Sequence, residues 1–330
     1  MDFDFKSILD LVKAFPDEQT CMDYLAEMRW NGVVISPFDK TSKVYKCAGN
    51  KYKCKNTGKY FTAKVGTIFE DTKIPLIKWY MALYVFSSHK KGISSHQLAK
   101  DIDVTQKTAW FILHRLRFAF SSASFKAEFE GIVEIDETYM GGEDKNKHEH
   151  KKSHKRGRNN DTKTPVVGML QREVSEIVER PHKVIVGKVV KEKVIKSLSI
   201  IKCNVVSDTT ANTIHPIIKA NVGTGSTIIT DEYKSYSGLD KEFQHATVNH
   251  GAKEYVNEMA YTNGVENFWS HLKRGVDGIY HWVNKEHLGS YVNEYSLRFN
   301  TRKYSTAGRF DLILANVAGR LTYKELISHE

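Results

Sequence analysis

The sequence predicts a multidomain protein of mixed α+β and α/β organisation: N-terminal helices, a small β ribbon, a pair of short helices, and then a mixed sheet with flanking helices. Three observations predict it. Apolar residues in the first 31 positions recur at helical spacing. Residues 33–69 change to a strand-like pattern with Gly, Asn and Lys turns. Beyond residue 128, strand-like and helix-like runs alternate, and 330 residues suffice for two domains with their own cores.

The first helices are short. The first ends at Pro16, and the second, over residues 17–30, turns Cys21, Tyr24, Leu25 and Met28 inward. The predicted segments are N-terminal helices at 1–31, the ribbon at 32–72, the helix pair at 73–122, the sheet domain at 128–305 and a C-terminal helical tail at 306–330.

Composition points to a polyanionic partner. The net charge is +10, and Lys or Arg side chains that neutralise phosphates release counterions from nucleic acid. The sequence shows neither an apolar run of about 18 residues nor an N-terminal signal pattern. Four scattered cysteines are typical of free thiols in a reducing compartment. We therefore expect a soluble, cytoplasmic protein that binds nucleic acid and no membrane.

After a long apolar helix over residues 75–90, the sequence indicates a helix-turn-helix. Ser94 and Gln97 form a capping-box pattern before a short helix, and a second helix opens at Thr105. Its buried stripe would be Ala109, Ile112, Leu113 and Leu116. The N-terminal end of such a helix reads base edges in the major groove, although two merely packed helices would give the same pattern. The predicted DNA-binding residues here are Gln106, Lys107 and Thr108, with Arg115 and Arg117 for phosphates.

Three carboxylates lie where a metal-dependent phosphoryl-transfer site would need them. Asp136 sits in the strand-like run GIVEIDETYM, where alternation puts Val133 and Ile135 on one face and the acids on the other. Asp231 ends a second apolar run, at the sheet edge where open α/β sheets bind ligands. Mg²⁺ prefers such oxygen ligands, and a pair of ions stabilises both the attacking and the leaving oxygen at phosphorus.

The third carboxylate lies on a helix-like run, TNGVENFWSHLKRG. At 3.6 residues per turn, Glu266 and Lys273 share one stripe, whereas Val265, Phe268 and Leu272 line another. Single acids are usually solvated surface charges. Asp208, which also ends an apolar run, is interpreted as the start or cap of a helix.

These blocks carry a family resemblance. IDETYMGG, TDEYKSY, HATVNH followed by KEYV, and NGVENFWSHLKRG occur in this order. Together they resemble the bacterial insertion-sequence DDE transposases, most closely the subgroup related to the eukaryotic Merlin elements. That subgroup places a zinc ribbon and a helix-turn-helix ahead of a ribonuclease H-like domain. The similarity covers roughly residues 17–305.

The resemblance implies a site and a reaction. Asp136, Asp231 and Glu266 would bind two Mg²⁺ ions, for which Mn²⁺ can substitute, and Lys273 would contact a phosphate near the cut. The enzyme would hydrolyse a phosphodiester at the element end and use the released 3′ hydroxyl to attack target DNA. Its partners would be terminal inverted repeats and target DNA, and the processing of two ends implies a homodimer in the active complex.

The ribbon departs from these relatives, which carry two cysteine pairs that bind zinc. In this chain Ser36 and Asp39 occupy the positions of the first cysteine pair. Of the second pair only Cys54 remains, and Thr57 occupies the position of its partner. A tetrahedral zinc site needs four N or S ligands. We therefore expect no zinc, and a ribbon stabilised by an aromatic core of Tyr45, Tyr52, Tyr60 and Phe61. The alternative is zinc bound by Cys47, Cys54 and either His89 or His96.

A basic run at 145–163 follows the Asp136 strand and is typical of a solvated loop. Beside the active site it would grip DNA through Lys151, Lys152, Lys155 and Arg156; a metal cluster of His148, His150 and His154 is the less favoured interpretation. Residues 164–172 and 182–190 are predicted to form a hairpin pair beside the Asp136 strand. Residues 209–223 are predicted to form the crossover helix before the Asp231 strand.

Two other classes of protein remain compatible with the sequence. A ribonuclease H-like nuclease would hydrolyse nucleic acid without strand transfer. A DNA-binding regulator, including a domesticated transposase, would need only the helix-turn-helix and the basic surface. Three carboxylates favour the enzyme, because a pure DNA binder gains nothing from acids beside DNA.

Overall fold

The computed structural model describes residues 5–122, 127–141, 163–181, 189–248 and 261–328. It divides into two compact units: residues 1–124 with 301–330, and residues 125–300. The helices are α1 Ile8–Ala14, α2 Glu18–Trp30, α3 Leu76–Ser88, α4 Ser95–Asp101, α5 Gln106–Ser122, α6 Ala211–Lys219, α7 Asn263–Gly275, α8 Lys285–Asn300, α9 Thr306–Ala315 and α10 Tyr323–Ile327. The strands are β1 Val44–Cys47, β2 Lys51–Cys54, β3 Tyr60–Phe61, β4 Ile132–Met140, β5 Thr164–Gln171, β6 Val174–Pro181, β7 Val189–Ser197, β8 Ile200–Val205, β9 Thr227–Asp231 and β10 Gln244–Val248.

The first unit is built around an aromatic cluster. Phe15 follows α1 and lies edge-on to Tyr80 of α3 at 4.8 Å between centroids. Phe310 of α9 contacts both rings and also Phe5. The C-terminal tail therefore completes the core formed by the first helices. The predicted inward residues of α2 are buried, except that Met28 is half-buried.

The ribbon is a three-stranded antiparallel sheet in the order β1-β2-β3. Tyr52 and Phe61 are buried against Trp30, as expected of two of the four predicted core aromatics. The prediction is wrong for Tyr45 and Tyr60, which are 43% and 57% exposed. The register places both opposite Lys53 on the outward face, because residues that face each other across strands share one side of a sheet.

Hydroxyl groups surround the Cys54 thiol, at the positions where the zinc-binding relatives would carry further ligands. Ser36 Oγ is buried and accepts from the backbone N–H of Phe38. Burial raises the pKa of the Cys54 thiol, but hydrogen bonds with Ser36, Ser42 and Thr57 outweigh that effect and bring the pKa to about 6. The zinc-free ribbon stays a prediction, and these hydrogen bonds support it.

The helix pair has the predicted form. Ser94 Oγ caps α4 by accepting from the Gln97 N–H at 3.2 Å. The Gln97 side chain, however, donates forward to Asp101 at 2.7 Å instead of returning to the cap. Thr105 Oγ1 accepts from the Thr108 N–H and so caps α5. The four residues of the predicted apolar stripe of α5 are all buried.

The second unit contains a five-stranded sheet in the order β10-β9-β4-β5-β8. β4, β9 and β10 are parallel, whereas β5 is antiparallel to both β4 and β8. The predicted crossover helix is α6, and its Ile214 and Ile218 share a core with Val133 and Ile135 of β4. On the opposite face, Phe268 of α7 and Leu288 of α8 form a second core with Val166 of β5. The predicted mixed sheet with flanking helices is confirmed.

One predicted pairing is wrong. β5 pairs with β4 as expected, but β6 and β7 pair only with each other in a separate two-stranded sheet among the described residues. Residues 172–181 were expected to be a connection, yet most of them form β6. The neighbour of β5 on the side away from β4 is β8, with a register from Val166↔Val205 to Gln171↔Ile200. Among the described residues, no helix is both long and apolar enough to cross a bilayer.

We expect the first unit to keep its stability without zinc. A chelator should leave its Tm unchanged, whereas Phe61→Ala should cost about 3–5 kcal/mol of unfolding free energy, because it removes a buried ring. The exposed Tyr60→Ala serves as control, with an effect within about 0.5 kcal/mol. Differential scanning calorimetry and elemental analysis check this; one bound zinc per chain together with a chelator-dependent Tm would contradict it.

Candidate active site

Two of the predicted carboxylates are neighbours at one edge of the sheet. β4 and β9 run parallel, with Glu134 opposite Ile229. If this register is continued by two residues along both strands, Asp136 lies level with Asp231. Residues two apart lie on the same face of a strand, so both aspartates share the face that carries α7. The charge of Asp231 acts on Asp136, as expected of close neighbours.

Asp136 is held by the helix above it. The Trp269 indole Nε1 donates to Asp136 Oδ2 at 3.0 Å. Gly168 of β5 lies opposite Asp136 in the register, and a Cβ there would come within 2.6 Å of the indole. Because Gly168 has no side chain, the Trp269 ring can lie over β5 and reach the Asp136 carboxylate. The indole is buried, so Trp269 packs in the core of this unit as well as donating to the acid.

The electrostatics of Asp136 are unusual for an aspartate. Burial raises its pKa to about 7, and the charges of Glu137 and Asp231 act in the same direction. The carboxyl is therefore poised between its neutral and charged forms near neutral pH. A bound cation would favour the charged form.

Glu266 and Lys273 lie on α7, and both side chains are exposed. Partial burial lowers the pKa of Lys273, and the charge of Asp136 opposes that shift, so the ammonium lies within electrostatic reach of the acid. Glu266 Oε1 instead accepts from Thr262 Oγ1 at 2.7 Å. Across the described residues, no three His, Cys, Asp or Glu side chains are grouped to hold a metal ion. The register thus sets Asp136 level with Asp231, and Glu266 lies on α7 with its carboxylate bonded to Thr262.

Sequence reasoning missed Glu134. This buried carboxylate accepts from Arg172 Nε at 2.6 Å and from the backbone N–H of Val265, in the first turn of α7, at 3.0 Å. Arg172 also donates to the Tyr261 carbonyl and stacks on its ring at 3.5 Å. Glu134 therefore ties α7 to β4 two residues before Asp136. The alternation had placed it on this face, but nothing local indicated its partners.

The other acids near the site have structural partners. Glu137 is buried on the opposite face of β4 and accepts from Tyr236 Oη at 2.7 Å. Asp208 accepts from the Thr210 N–H and from two threonine hydroxyls, which lowers its pKa to about 2. Thr210 is the N-cap of α6, so Asp208 stabilises the start of that helix, as the sequence indicated.

The predicted DNA-binding residues of the helix pair α4 and α5 divide into two groups. Gln106 and Lys107 are exposed at the start of α5. Gln106 donates to Ser95, and Lys107 lies 4.7 Å from the Tyr323 ring centroid. Thr108 is partly buried, and its hydroxyl lies 2.9 Å from that of Thr105.

The two arginines correct the sequence prediction. Arg115 and Arg117 are buried, at 6% and 1% exposure, so neither guanidinium is presented for phosphates. Arg115 donates to the carbonyls of Ile68, Glu70 and Leu321. From the sequence, an arginine in a helix is expected at the surface, because the distant carbonyl groups that bind it in the folded chain are not evident. The predicted basic loop residues Lys151, Lys152, Lys155 and Arg156, and the histidines at 148, 150 and 154, lie outside the described residues.

Comparison with known proteins gives three matches. Residues 128–300 match the family model described as the ISXO2-like transposase domain. The chain is 27% identical over 300 residues to the uncharacterised protein in transposable element ISH50 of Halobacterium salinarum, covering 87% of this chain and 92% of that protein. It is 37% identical over 97 residues to an uncharacterised transposase-like protein of Haemophilus influenzae, covering 29% of this chain and 77% of that protein.

We expect Asp136→Asn to stabilise the metal-free protein at pH 8 and to keep only part of this advantage at pH 5, because the penalty on the wild-type carboxyl builds up between pH 3.8 and about 7. A carboxyl with a raised pKa favours folding at low pH and loses that contribution as the pH rises through about 7. Asparagine stays neutral and still accepts from Trp269. For a half-buried side chain the gain is on the order of 1 kcal/mol, about 2–4 °C in Tm.

Thermal unfolding from pH 5 to pH 8 measures this effect. Asp208→Asn is the control of opposite sign, because a carboxyl with a lowered pKa contributes stability throughout this range. A stability difference between Asp136→Asn and wild type that does not change with pH would contradict the raised pKa.

We also expect Gly264→Ala to destabilise the protein by about 1–3 kcal/mol, because its Cβ would come within 2.7 Å of Glu134 Oε2. Gly289→Ala, also on a helix, meets only Val205 at 3.9 Å and should be neutral or stabilising. Denaturant unfolding compares the two. Equal effects would show that α7 is not held closely against Glu134.

Proposed function

The chain belongs to the ISXO2-like transposase domain family, and from that premise we propose that it is a metal-dependent DNA transposase. It would cleave DNA at the ends of its element and transfer the resulting 3′ hydroxyl into target DNA. The observation that supports this most directly is the pair Asp136 and Asp231, level on parallel strands under α7. That arrangement suits phosphoryl transfer, in which positioning and charge stabilisation provide most of the catalysis.

The donor set suits a hard divalent cation. Mg²⁺ binds through one or two carboxylates together with substrate phosphates, and Mn²⁺ takes the same oxygen ligands. A cation bound there would stabilise charge on the attacking and leaving oxygens. Asp136 and Asp231 would hold it, and Trp269 would keep the Asp136 carboxylate oriented through its hydrogen bond.

Two further residues complete the proposed site. Glu266 would be the third metal ligand once its carboxylate leaves Thr262, and its exposed position permits that change. Lys273 lies on the same helix as Glu266, and its ammonium is within electrostatic reach of Asp136. It would therefore contact a non-reacting phosphate. We propose two metal ions shared among Asp136, Asp231 and Glu266.

DNA would be recognised by the first unit. Gln106, Lys107 and Thr108 at the start of α5 are proposed to contact the terminal repeats, and the basic residues Lys151, Lys152, Lys155 and Arg156 are proposed to bind DNA phosphates. Because two element ends are joined in one event, the active complex would be a homodimer in the cytoplasm, associated with the nucleoid. The order of ribbon, helix-turn-helix and sheet domain supports membership of the Merlin-related subgroup.

A nuclease without strand transfer is the second candidate. It is favoured by one observation, that Glu266 accepts from Thr262 while no three ligating side chains of the described residues are grouped to hold a metal ion. A site with two carboxylates could hydrolyse DNA, whereas joining also requires the 3′ hydroxyl to be held in line.

Strand transfer from a labelled duplex that carries the candidate inverted repeat tests the proposal. With Mg²⁺ or Mn²⁺, the wild-type protein should produce joined products. Asp136→Asn, Asp231→Asn and Glu266→Gln should each lose cleavage by about a hundredfold or more, because each removes transition-state charge stabilisation. Lys273→Ala should lose less.

Asp208→Asn is the matched control, since Asp208 also follows an apolar run but is bonded to threonines at the start of α6. It should retain cleavage and joining. Hydrolysis without joined product would establish the nuclease instead, and retained activity in Glu266→Gln would remove that residue from the site.

A further inference from the structure

The ribbon carries an unusual concentration of positive charge. Residues 40–69 contain eight lysines and no Asp or Glu. Such a segment attracts polyanions and is not explained by folding, because like charges on one small sheet repel each other. Neither the aromatic core of the ribbon nor the proposed catalytic site makes use of this charge.

The outward face of the ribbon combines this charge with aromatic rings. The register sets Tyr45, Lys53 and Tyr60 side by side across the three strands. Both tyrosines are exposed, and Lys53 Nζ lies 5.4 Å from the centroid of the Tyr60 ring. Lys43 Nζ lies 5.5 Å from the centroid of the Tyr45 ring. We call these residues, together with the exposed Lys51 and Lys55, the ribbon face.

We propose that the ribbon face binds single-stranded DNA, with its lysines on the phosphates and the rings of Tyr45 and Tyr60 stacked on unpaired bases. The lysines of the ribbon face favour a polyanionic ligand. The exposed tyrosine rings indicate which kind of polyanion binds there. Duplex DNA presents phosphates and base edges, whereas an unpaired strand presents base faces, on which aromatic side chains stack whatever the sequence. A flat sheet face with rings on its two outer strands is suited to that contact.

The geometry also couples the two contacts. Each tyrosine ring has an ammonium group within 5.5 Å of its centroid, so a base stacked on the ring brings its own phosphate toward a lysine. Tyr52 and Phe61 are buried on the other side of the same strands, so this face is free of the core packing. This surface lies on the N-terminal unit, and its binding is independent of the catalytic carboxylates.

Fluorescence anisotropy with the full-length protein tests this. A labelled oligothymidine and a duplex of equal length serve as probes over a range of salt concentrations. Tyr45→Leu with Tyr60→Leu should weaken oligothymidine binding about tenfold or more and leave duplex binding little changed, because leucine keeps the apolar bulk but removes the ring. Lys53→Gln should reduce the salt slope for the oligothymidine by about 0.7, the contribution of one phosphate contact.

Matched controls lie on the same unit. Tyr304→Leu removes another exposed tyrosine, and Lys13→Gln removes an exposed lysine of α1. Both should bind the oligothymidine as wild type does. Unchanged oligothymidine affinity in the double tyrosine variant, or an equal loss for duplex, would overturn the proposal.

A second measurement needs no variant. Photo-crosslinking of the wild-type protein to an oligonucleotide that carries 5-iodouracil, followed by peptide mapping, should place crosslinks at Tyr45 or Tyr60. Crosslinks only outside residues 43–60 would overturn the proposal even if the double variant failed to fold. Failure here leaves the strand-transfer test unaffected, because that test depends on Asp136, Asp231 and Glu266.

Discussion

The buried contact between Glu134 and the start of α7 is the interaction on which the candidate site depends. A buried carboxylate is costly unless it is paired and hydrogen-bonded. Glu134 meets both conditions through the Arg172 guanidinium and the Val265 N–H, at the end of the helix where the macrodipole favours negative charge. The same residue therefore fixes the distance between β4 and α7. Every other relation between the two elements follows from that distance.

The consequences appear one turn along the helix. With its first turn tied to Glu134, α7 directs Trp269 across β5 at Gly168 and onto Asp136. Burial accounts first for the raised pKa of Asp136, and the charges of Glu137 and Asp231 add to it, whereas the hydrogen bond from Trp269 acts in the opposite direction. An acid poised near neutrality is typical of functional sites, although structural networks also produce such shifts.

The reverse face of β4 explains why the acidic motifs are rich in tyrosine. Glu137 binds Tyr236, which lies just beyond β9. Tyr139 and Tyr233 both bond to the Thr209 hydroxyl. Each motif therefore carries an acid on the face that bears α7 and polar anchors on the other. These anchors hold the ends of β4 and β9 together, which is where Asp136 and Asp231 are needed.

The sequence by itself determined the features that depend on local periodicity. Alternation along β4 assigned Asp136 to one face and Val133 to the other, and the stripe of α7 separated Glu266 from Leu272, because strand and helix geometry fix these directions. The tertiary structure alone decided which remote groups meet. It placed Arg115 and Arg117 inside the first unit, turned Tyr45 and Tyr60 outward, paired β6 with β7 and gave Glu134 its partners. These outcomes depend on contacts between residues far apart in the chain, which a local pattern does not encode.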